Sequence, residues 1–203
     1  MEIDKTKVEN FYKENFMQHG DSIKSVGWGD AETQFLRFKK LTEGLIVEGS
    51  SILDFGCGLG HLVEFLEKQN LRQYEYVGVD LCVSFIEHAK EKYREKNNIN
   101  FYKGDIFHKD LEAHSFDIAL ASGVFSLNQE NIKNYTFDAM KKMFDLVNHS
   151  VSVNFLSTYC DFQLKKNVHY DPSEILNEAF KITSDVKLLH DYELYEFTLI
   201  LNK

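Results

Sequence analysis

The pattern of hydrophobic and polar positions separates a helical N-terminal part of the chain from an alternating remainder. Across residues 1–48, large apolar side chains recur three and four positions apart, as at Val8, Phe11 and Tyr12, which is the spacing of one helix face. Glycines interrupt this pattern between residues 19 and 29, where we predict an irregular loop. The sequence therefore predicts two helices before residue 48, joined by that loop.

From residue 51 the apolar runs shorten to strand length and alternate with longer amphipathic segments. We predict strands at 51–55, 74–79, 99–102, 116–121 and 151–155, and helices through 62–66, at 83–95 and at 130–147. Strands that alternate with helices form βαβ units, in which parallel strands are covered by helices on both faces. The sequence thus predicts an α/β fold with a doubly wound, mostly parallel sheet.

The C-terminal region departs from this alternation. A helix is predicted over 172–180, because Asp171 suits the N-cap and Pro172 suits the first helical position. Two strands, 186–189 and 197–201, then follow each other directly. Their short connection leaves no room for a parallel crossover, so we predict a seven-stranded sheet with an antiparallel C-terminal strand.

Composition and charge narrow the classes of function. The 203 residues, 43% of them hydrophobic, suit a single domain over 1–203. A formal net charge of −9 disfavours nucleic acid as a partner. The N-terminus is charged, and no apolar run approaches the roughly 20 residues of a membrane helix, so we expect a cytoplasmic protein without a membrane partner. The cysteines and histidines lack metal-ligand spacing, so we expect no metal site.

The strongest local motif is Asp-Phe-Gly-Cys-Gly-Leu-Gly at residues 54–60, between a predicted strand and a predicted helix. Its glycines, Gly56, Gly58 and Gly60, allow the backbone to turn sharply and to approach a ligand, because they carry no Cβ. The helix that follows offers free N–H groups and the positive end of its dipole. The motif therefore predicts a site for a ligand that carries a carboxylate or a phosphate.

Two carboxylates stand beyond the next two predicted strands. Asp80 closes the second strand, 20 residues after Gly60, where nucleotide-binding sheets place an acid that accepts hydrogen bonds from ribose hydroxyls. Asp105 follows the third strand and could meet an adenine amino group, while Ile106 packs against the ring. A helix cap for Asp80 and an ordinary turn for Asp105 are the alternatives.

These motifs carry a family resemblance. Residues 54–60 resemble motif I of the class I S-adenosylmethionine-dependent methyltransferases, residues 78–80 resemble motif II, and residues 104–106 resemble the adenine motif. Residues 116–123 resemble the fourth-strand motif that lines the methyl-transfer site. The resemblance covers residues 51–203 and implies S-adenosylmethionine as the cofactor, with the antiparallel final strand as the family's own topological mark.

The resemblance also implies which residues bind the cofactor. They are Asp54, Gly56, Cys57, Gly58, Gly60, Asp80, Leu81, Asp105, Ile106 and Ser122. The glycines would approach the methionine moiety, Asp80 would hold the ribose, and Asp105 with Ile106 would hold the adenine. Residues 1–48 resemble the helical cap or lid of small family members, in which Trp28 would cover the cofactor and Arg37 would pair with the methionine carboxylate. An ordinary surface helix with a core tryptophan is the alternative.

A dinucleotide-binding domain is the competing interpretation of the glycine loop. Its fingerprint, G-x-G-x-x-G, places the third glycine one position later than Gly60. A dehydrogenase would also need a substrate domain, for which 203 residues leave little room. The sequence favours the methyltransferase.

Candidate catalytic residues follow the fifth predicted strand, at the edge where such sheets bind ligands. His169 could act as a general base, and Tyr159 or Tyr170 could orient the acceptor. Packing before the final helix is the alternative for His169 and Tyr170.

The loop after the fourth strand, 122–128, lacks the N/D-P-P-Y/F arrangement of many enzymes that methylate amino groups of nucleic acids. We therefore expect methyl transfer to an oxygen of a small polar metabolite or a sugar-type acceptor, by a monomer or homodimer. N-methylation of a small molecule is one alternative. A regulatory subunit that binds S-adenosylmethionine without turnover is the other.

Overall fold

The fold is built around one seven-stranded sheet. The structure is a computed structural model that describes residues 2–107 and 111–203. The strands are β1 Ser51–Phe55, β2 Glu75–Asp80, β3 Ile99–Lys103, β4 Phe116–Ala121, β5 Val147–Leu156, β6 Val186–Leu189 and β7 Glu196–Asn202. Their order in the sheet is β3-β2-β1-β4-β5-β7-β6. Pairs among β1 to β5 are parallel, and β7 runs antiparallel to β5 and to β6. The predicted α/β fold with an antiparallel C-terminal strand is confirmed.

Helices cover both faces of this sheet, as the strand–helix alternation predicts. They are α1 Lys5–His19, α2 Ala31–Leu41, α3 His61–Lys68, α4 Val83–Lys92, α5 Ile132–Leu146 and α6 Pro172–Ala179. Successive strand residues point to opposite faces. Ile52 accordingly packs in a core with residues of α2, α3 and α4, whereas Leu53 packs in a second core with residues of α5 and α6.

The ends of the C-terminal elements follow local chemistry. Asp171 caps α6 as predicted, because its side chain accepts a hydrogen bond from the Ser173 N–H. β5 begins at Val147, earlier than the predicted 151, because it follows directly after α5 ends at Leu146. Polar Asn148 and His149 in this early part obscure the strand pattern in the sequence.

Only part of the segment 1–48 covers the sheet edge. α1 packs against α4, and its Tyr12 and Phe16 rings lie 5.9 and 5.7 Å from the ring of Phe85. α2 instead belongs to a helical layer, where it contacts α3, β5 and β7 and buries Phe38 and Leu41. Among the described residues, no helix combines the length and the apolar character needed to cross a bilayer.

Candidate cofactor and acceptor site

A cleft opens at the carboxyl ends of β1, β2 and β4, and its empty volume is about 920 Å³. β1 lies between β2 and β4 in the sheet. The strand order therefore reverses at β1, and open α/β sheets form their ligand crevice at such a reversal. The predicted cofactor-binding residues that line the cleft are Trp28, Asp54, Gly56, Cys57, Gly58, Asp80, Leu81 and Ser122. The structure therefore brings together residues that the sequence places on four separate segments.

The glycine loop forms the floor of the cleft. Gly56 and Gly58 have φ of +73° and +55°, in the left-handed region that other residues rarely adopt. A Cβ on Gly56 would overlap the side chain of Val124, and one on Gly58 would lie 2.8 Å from Val26 Cγ1. The Gly56 N–H donates to the Val79 carbonyl at 2.8 Å, which holds the loop against β2. These glycines are required both by the turn and by the close packing around it.

Asp80 joins the tip of β2 to this loop. Its Oδ2 accepts a hydrogen bond from the Gly58 N–H at 2.9 Å, and its Oδ1 accepts one from the Cys82 N–H at 2.8 Å. Burial raises the pKa of Asp80 to about 6, against the opposing effect of these two donors. The carboxylate is thus ionised at neutral pH and remains an acceptor toward a ligand in the cleft.

Asp54 lies deeper, at the end of β1. Its Oδ2 accepts a hydrogen bond of 2.6 Å from the Tyr76 hydroxyl. Burial raises the pKa of Asp54 to about 7, although that hydrogen bond opposes the shift, and the nearby Asp80 charge raises it further. Burial also raises the pKa of the Cys57 thiol well above its usual value, so Cys57 is a neutral wall residue and not a nucleophile.

The N-terminal segment closes the cleft from above. Tyr12 of α1 and Val26 and Trp28 of the loop before α2 line it opposite the glycine loop. Burial, with the charge of Asp80 as a smaller cause, raises the pKa of Tyr12 to about 12, so its phenol stays neutral at physiological pH. The segment before α2 is therefore a cover over the predicted cofactor position, and Trp28 is part of it as the sequence led us to expect.

Arg37 does not line the cleft, and its side chain forms an internal ion pair. Its Nε lies 2.8 and 2.9 Å from the two carboxylate oxygens of Glu196, and its Nη2 lies 2.5 Å from Glu196 Oε1. The guanidinium carbon also lies 4.0 Å from the ring centroid of Trp28. A guanidinium held this way positions the tryptophan ring. The pairing of Arg37 with the methionine carboxylate stays a prediction.

Asp105 and Ile106 lie behind the cleft instead of in its wall. Tyr135, which lines the cleft, donates its hydroxyl hydrogen bond to Asp105 Oδ1 at 2.8 Å. Lys5 of α1 lies 2.8 Å from Asp105 Oδ2, and Ile106 is fully buried in the core. Neither Asp105 nor Ile106 is among the residues that line the cleft, whereas Tyr135, the partner of Asp105, is. The structure therefore shows no direct route from these two side chains to an adenine in the cleft.

Gly60 serves packing on the opposite side of its loop. A Cβ there would lie 2.7 Å from Tyr93 Cε2 and 3.0 Å from Phe101 Cζ. Its carbonyl accepts a hydrogen bond from the Tyr93 hydroxyl at 2.9 Å, and its φ of +77° starts α3. Gly60 is not among the residues that line the cleft, and its approach to the methionine moiety stays a prediction.

The three candidate catalytic residues lie outside the cleft lining. Tyr159 is 68% exposed on the loop after β5. Tyr170 is fully buried, and its hydroxyl donates to the Phe125 carbonyl at 3.0 Å and meets the Thr136 hydroxyl at 2.9 Å. Burial lowers the pKa of His169. None of the three residues lines the cleft, but Tyr170 lines a smaller cavity beside it that Trp28 also borders. The catalytic roles of Tyr159, His169 and Tyr170 therefore stay predictions.

A smaller cavity lies on the other side of Trp28, and we call it the Glu196 cavity. Its empty volume is about 230 Å³. It shares Trp28 and Gly123 with the cleft as common walls, and its polar walls include Ser126, Asn154 and Glu196. The cleft and the Glu196 cavity are therefore neighbours divided by one indole ring.

Sequence reasoning missed three residues of this site. His61 lines the cleft, with its Nδ1 3.2 Å from Nε2 of Gln34, and Tyr135 lines it as well. Glu196 borders the small cavity. His61 follows the glycine loop directly, which is a signal that could have been used. The others lie in helices or strands where the pattern marks them only as partly polar positions.

The residues present fit S-adenosylmethionine. The two glycines form a cradle that a Cβ would fill, and the ionised Asp80 stands at the strand tip where ribose hydroxyls need an acceptor. Asp54 also lines the cleft next to the glycine loop and supplies a second carboxyl group there. Apolar and aromatic walls from Val26, Trp28 and Tyr135 complete an enclosure suited to the sulfonium and the adenine.

Comparisons with known proteins agree with this geometry. A family model described as a methyltransferase domain matches residues 52–150. The candidate methyltransferase Rv1506c of Mycobacterium tuberculosis is 28% identical over 160 residues, covering 75% of this chain and 93% of that protein. A phosphoethanolamine N-methyltransferase of Plasmodium falciparum is 30% identical over 106 residues, covering 51% of this chain and 38% of its own length.

Among solved structures, a SAM-dependent methyltransferase from Aquifex aeolicus superposes with a TM-score of 0.62 over 99% of each chain, at 14% identity. That likeness concerns the fold alone. The matched domain and the relatives support the predicted class I S-adenosylmethionine-dependent methyltransferase, and the fold agrees with that class of enzyme.

Proposed function

We propose that this methyltransferase transfers the methyl group of S-adenosylmethionine to an oxygen of a small polar or sugar-type acceptor. The observation that carries the proposal is that the N-terminal segment lies over the cleft. Tyr12, Val26 and Trp28 line the cleft opposite the glycine loop. A cleft bordered in this way by side chains on both sides suits a metabolite better than a polymer.

The charge of the protein supports the same class of acceptor. The formal net charge of −9 disfavours a nucleic acid, and carboxylates of Asp54, Asp80 and Glu196 border the two cavities. A neutral hydroxyl compound enters such a site without electrostatic penalty, whereas a polyanion is repelled.

When bound, S-adenosylmethionine supplies an electrophilic methyl group on a sulfonium. The protein's own contribution is positioning and the exclusion of water. Asp80 accepts hydrogen bonds at the ribose position, the glycine loop admits the methionine portion, and the aromatic cover keeps bulk water from the reacting centre. These residues orient the groups without taking part in a covalent step.

A second candidate is methyl transfer to the nitrogen of a small amine. One observation favours it: the Glu196 cavity has aromatic walls from Trp28, Phe125 and Phe155, whose ring faces attract an ammonium group. The Plasmodium relative is named a phosphoethanolamine N-methyltransferase, and it aligns with about half of this chain.

The test has two stages. Calorimetry with S-adenosylmethionine and S-adenosylhomocysteine measures cofactor binding, for which we expect saturable affinity. Release of S-adenosylhomocysteine is then measured on matched panels of hydroxyl compounds and amines of equal size. Turnover confined to the hydroxyl panel supports the first proposal, and turnover confined to the amines replaces it with the second. Binding without turnover on either panel would contradict both acceptor classes.

A further inference from the structure

The division between the cleft and the Glu196 cavity depends on a single side chain. Trp28 and Gly123 are the walls that the two spaces share. The indole lies directly on Gly123, where any Cβ would overlap the ring. Gly123 has φ of +70°, so the backbone there also favours glycine. Because residue 123 is a glycine, the Trp28 ring can occupy the space that a side chain at this position would fill.

The indole is fixed from its other face as well. The Arg37 guanidinium lies 4.0 Å from the ring centroid, and Glu196 holds that guanidinium through its Nε and Nη2. Both Arg37 and Glu196 are more than 90% buried. Trp28 is thus clamped between a backbone surface and a buried ion pair, and it forms a firm partition.

The partition lies beside the end of β4, on the cleft side opposite Asp80. If the glycine loop holds the methionine end of the cofactor and Asp80 holds the ribose, as the family resemblance implies, the sulfur would lie between them. That middle stretch of the cleft is walled by Ser122 and Gly123 at the end of β4, and Val124 closes on Gly56 beside it. A group that projects from the sulfur toward β4 would then meet Trp28.

We propose that Trp28 is a specificity-determining residue, which limits the size of the group carried on the cofactor sulfur by closing the cofactor cleft against the Glu196 cavity. The inference rests on the proposed methyltransferase function. It assigns the Glu196 cavity as the space that a larger substituent on the sulfur would enter if the indole of Trp28 were removed. Arg37 and Glu196 act as positioning residues, because they hold the indole and do not themselves border the sulfur.

The experiment uses cofactor analogues, so that the acceptor need not be known. Calorimetry compares the affinity for S-adenosylmethionine with that for analogues in which an allyl or a benzyl group replaces the methyl group on sulfur. We expect the wild-type protein to discriminate strongly against the benzyl analogue. In Trp28→Ala the discrimination ratio should fall by about tenfold or more, the scale of steric selection in an apolar pocket. Phe35→Ala, which removes another aromatic of the N-terminal segment away from the cleft, should leave the ratio unchanged.

A second variant tests where the larger group goes. Ser126 borders the Glu196 cavity and is not part of the cleft wall. Ser126→Leu in the Trp28→Ala background should refill the space and restore discrimination against the benzyl analogue. Trp28→Leu replaces the alanine variant if the latter does not fold, and it should show a smaller fall in the ratio.

The outcomes separate the inference from the function beneath it. A wild-type protein with no affinity for S-adenosylmethionine or S-adenosylhomocysteine would overturn both. A Trp28 variant that binds S-adenosylmethionine as tightly as wild type, with an unchanged discrimination ratio, would overturn the role of Trp28 alone. A lowered ratio that Ser126→Leu fails to restore would overturn the assignment of the Glu196 cavity.

Discussion

Arg37 and Glu196 form a buried ion pair across 159 residues of sequence, with Arg37 Nη2 2.5 Å from Glu196 Oε1. The pair joins α2 to the first residue of β7, and thus connects the segment that covers the cleft to the antiparallel strand of the sheet. Arg37 Nη1 is buried without a hydrogen-bond partner among the described residues. The charge on Arg37 therefore depends on Glu196 for its compensation.

Removal of one partner of this pair should be costly, and removal of both should cost less. Glu196→Ala leaves an uncompensated guanidinium in the interior, for which we expect a loss of roughly 3–5 kcal/mol in the free energy of unfolding. The double variant Arg37→Met/Glu196→Leu leaves no buried charge and should be more stable than Glu196→Ala alone. Urea unfolding measures the wild type, Glu196→Ala and the double variant. A double variant that is no more stable than Glu196→Ala would contradict the expected cost of the uncompensated guanidinium.

Asp80 should contribute to cofactor affinity, both as an acceptor toward the ligand and through the hydrogen bond by which it holds the glycine loop. In Asp80→Ala the acceptor for the ribose hydroxyls is lost, so the affinity for S-adenosylhomocysteine should fall by roughly 1–3 kcal/mol. Asp191→Ala, an exposed carboxylate that pairs with Lys40, serves as the control and should bind as the wild type does. Calorimetry on folded variants decides the matter, and an unchanged affinity in Asp80→Ala would remove Asp80 from the site.

Cofactor binding should weaken in mild acid. Because burial raises the pKa of Asp80 to about 6, the carboxylate becomes protonated as the pH falls below that value and loses its capacity as an acceptor. A single group with this pKa predicts an affinity for S-adenosylhomocysteine about tenfold lower at pH 5 than at pH 7. Asp80→Asn should show a smaller change over the same range. An equal change in both proteins would assign the pH dependence to another group.

The sequence was sufficient for the fold and for much of the cleft. β1, β2 and β4 end in glycine or acidic motifs, and a parallel sheet brings such strand ends to one edge, so Gly58 and Asp80 had to meet there. Trp28 was found because it is the single tryptophan, set in a glycine-flanked loop. These inferences need only strand direction and strand ends, which local patterns supply.

The remaining residues depend on which way a side chain faces. Tyr170 lies in the segment after β5, where we expected catalytic residues. Its backbone forms a bridge with Ser157, and its side chain is fully buried. Arg37 and Glu196 meet only after the whole sheet is assembled. The residue types near a strand end do not specify whether a side chain points into the core or into the cleft. A contact between residues 159 positions apart produces no pattern in the local sequence.

The glycine loop should tolerate no side chain at Gly56. Gly56→Ala combines a positive φ with overlap against Val124, so we expect a loss of roughly 1–3 kcal/mol in stability beyond the backbone strain itself. Gly44→Ala is a matched control, because Gly44 has φ of +78° and open space around its Cβ position. Unfolding measurements should show a larger loss at 56 than at 44, and only Gly56→Ala should weaken binding of S-adenosylhomocysteine. Equal losses would attribute the requirement to φ alone.

Asp54 should make the protein less stable as the pH rises toward neutrality. Burial raises its pKa from 3.8 to about 7, so the folded state binds a proton between these values that the unfolded chain has released. The stabilisation is complete below about pH 4 and is lost progressively as the pH rises through about 7, amounting to about 4 kcal/mol in all. Asp54→Asn keeps an acceptor for the Tyr76 hydroxyl and removes the titration. The stability of this variant relative to wild type, from urea unfolding at a series of pH values, should therefore rise between pH 4 and pH 8, and a difference independent of pH would show that Asp54 titrates normally.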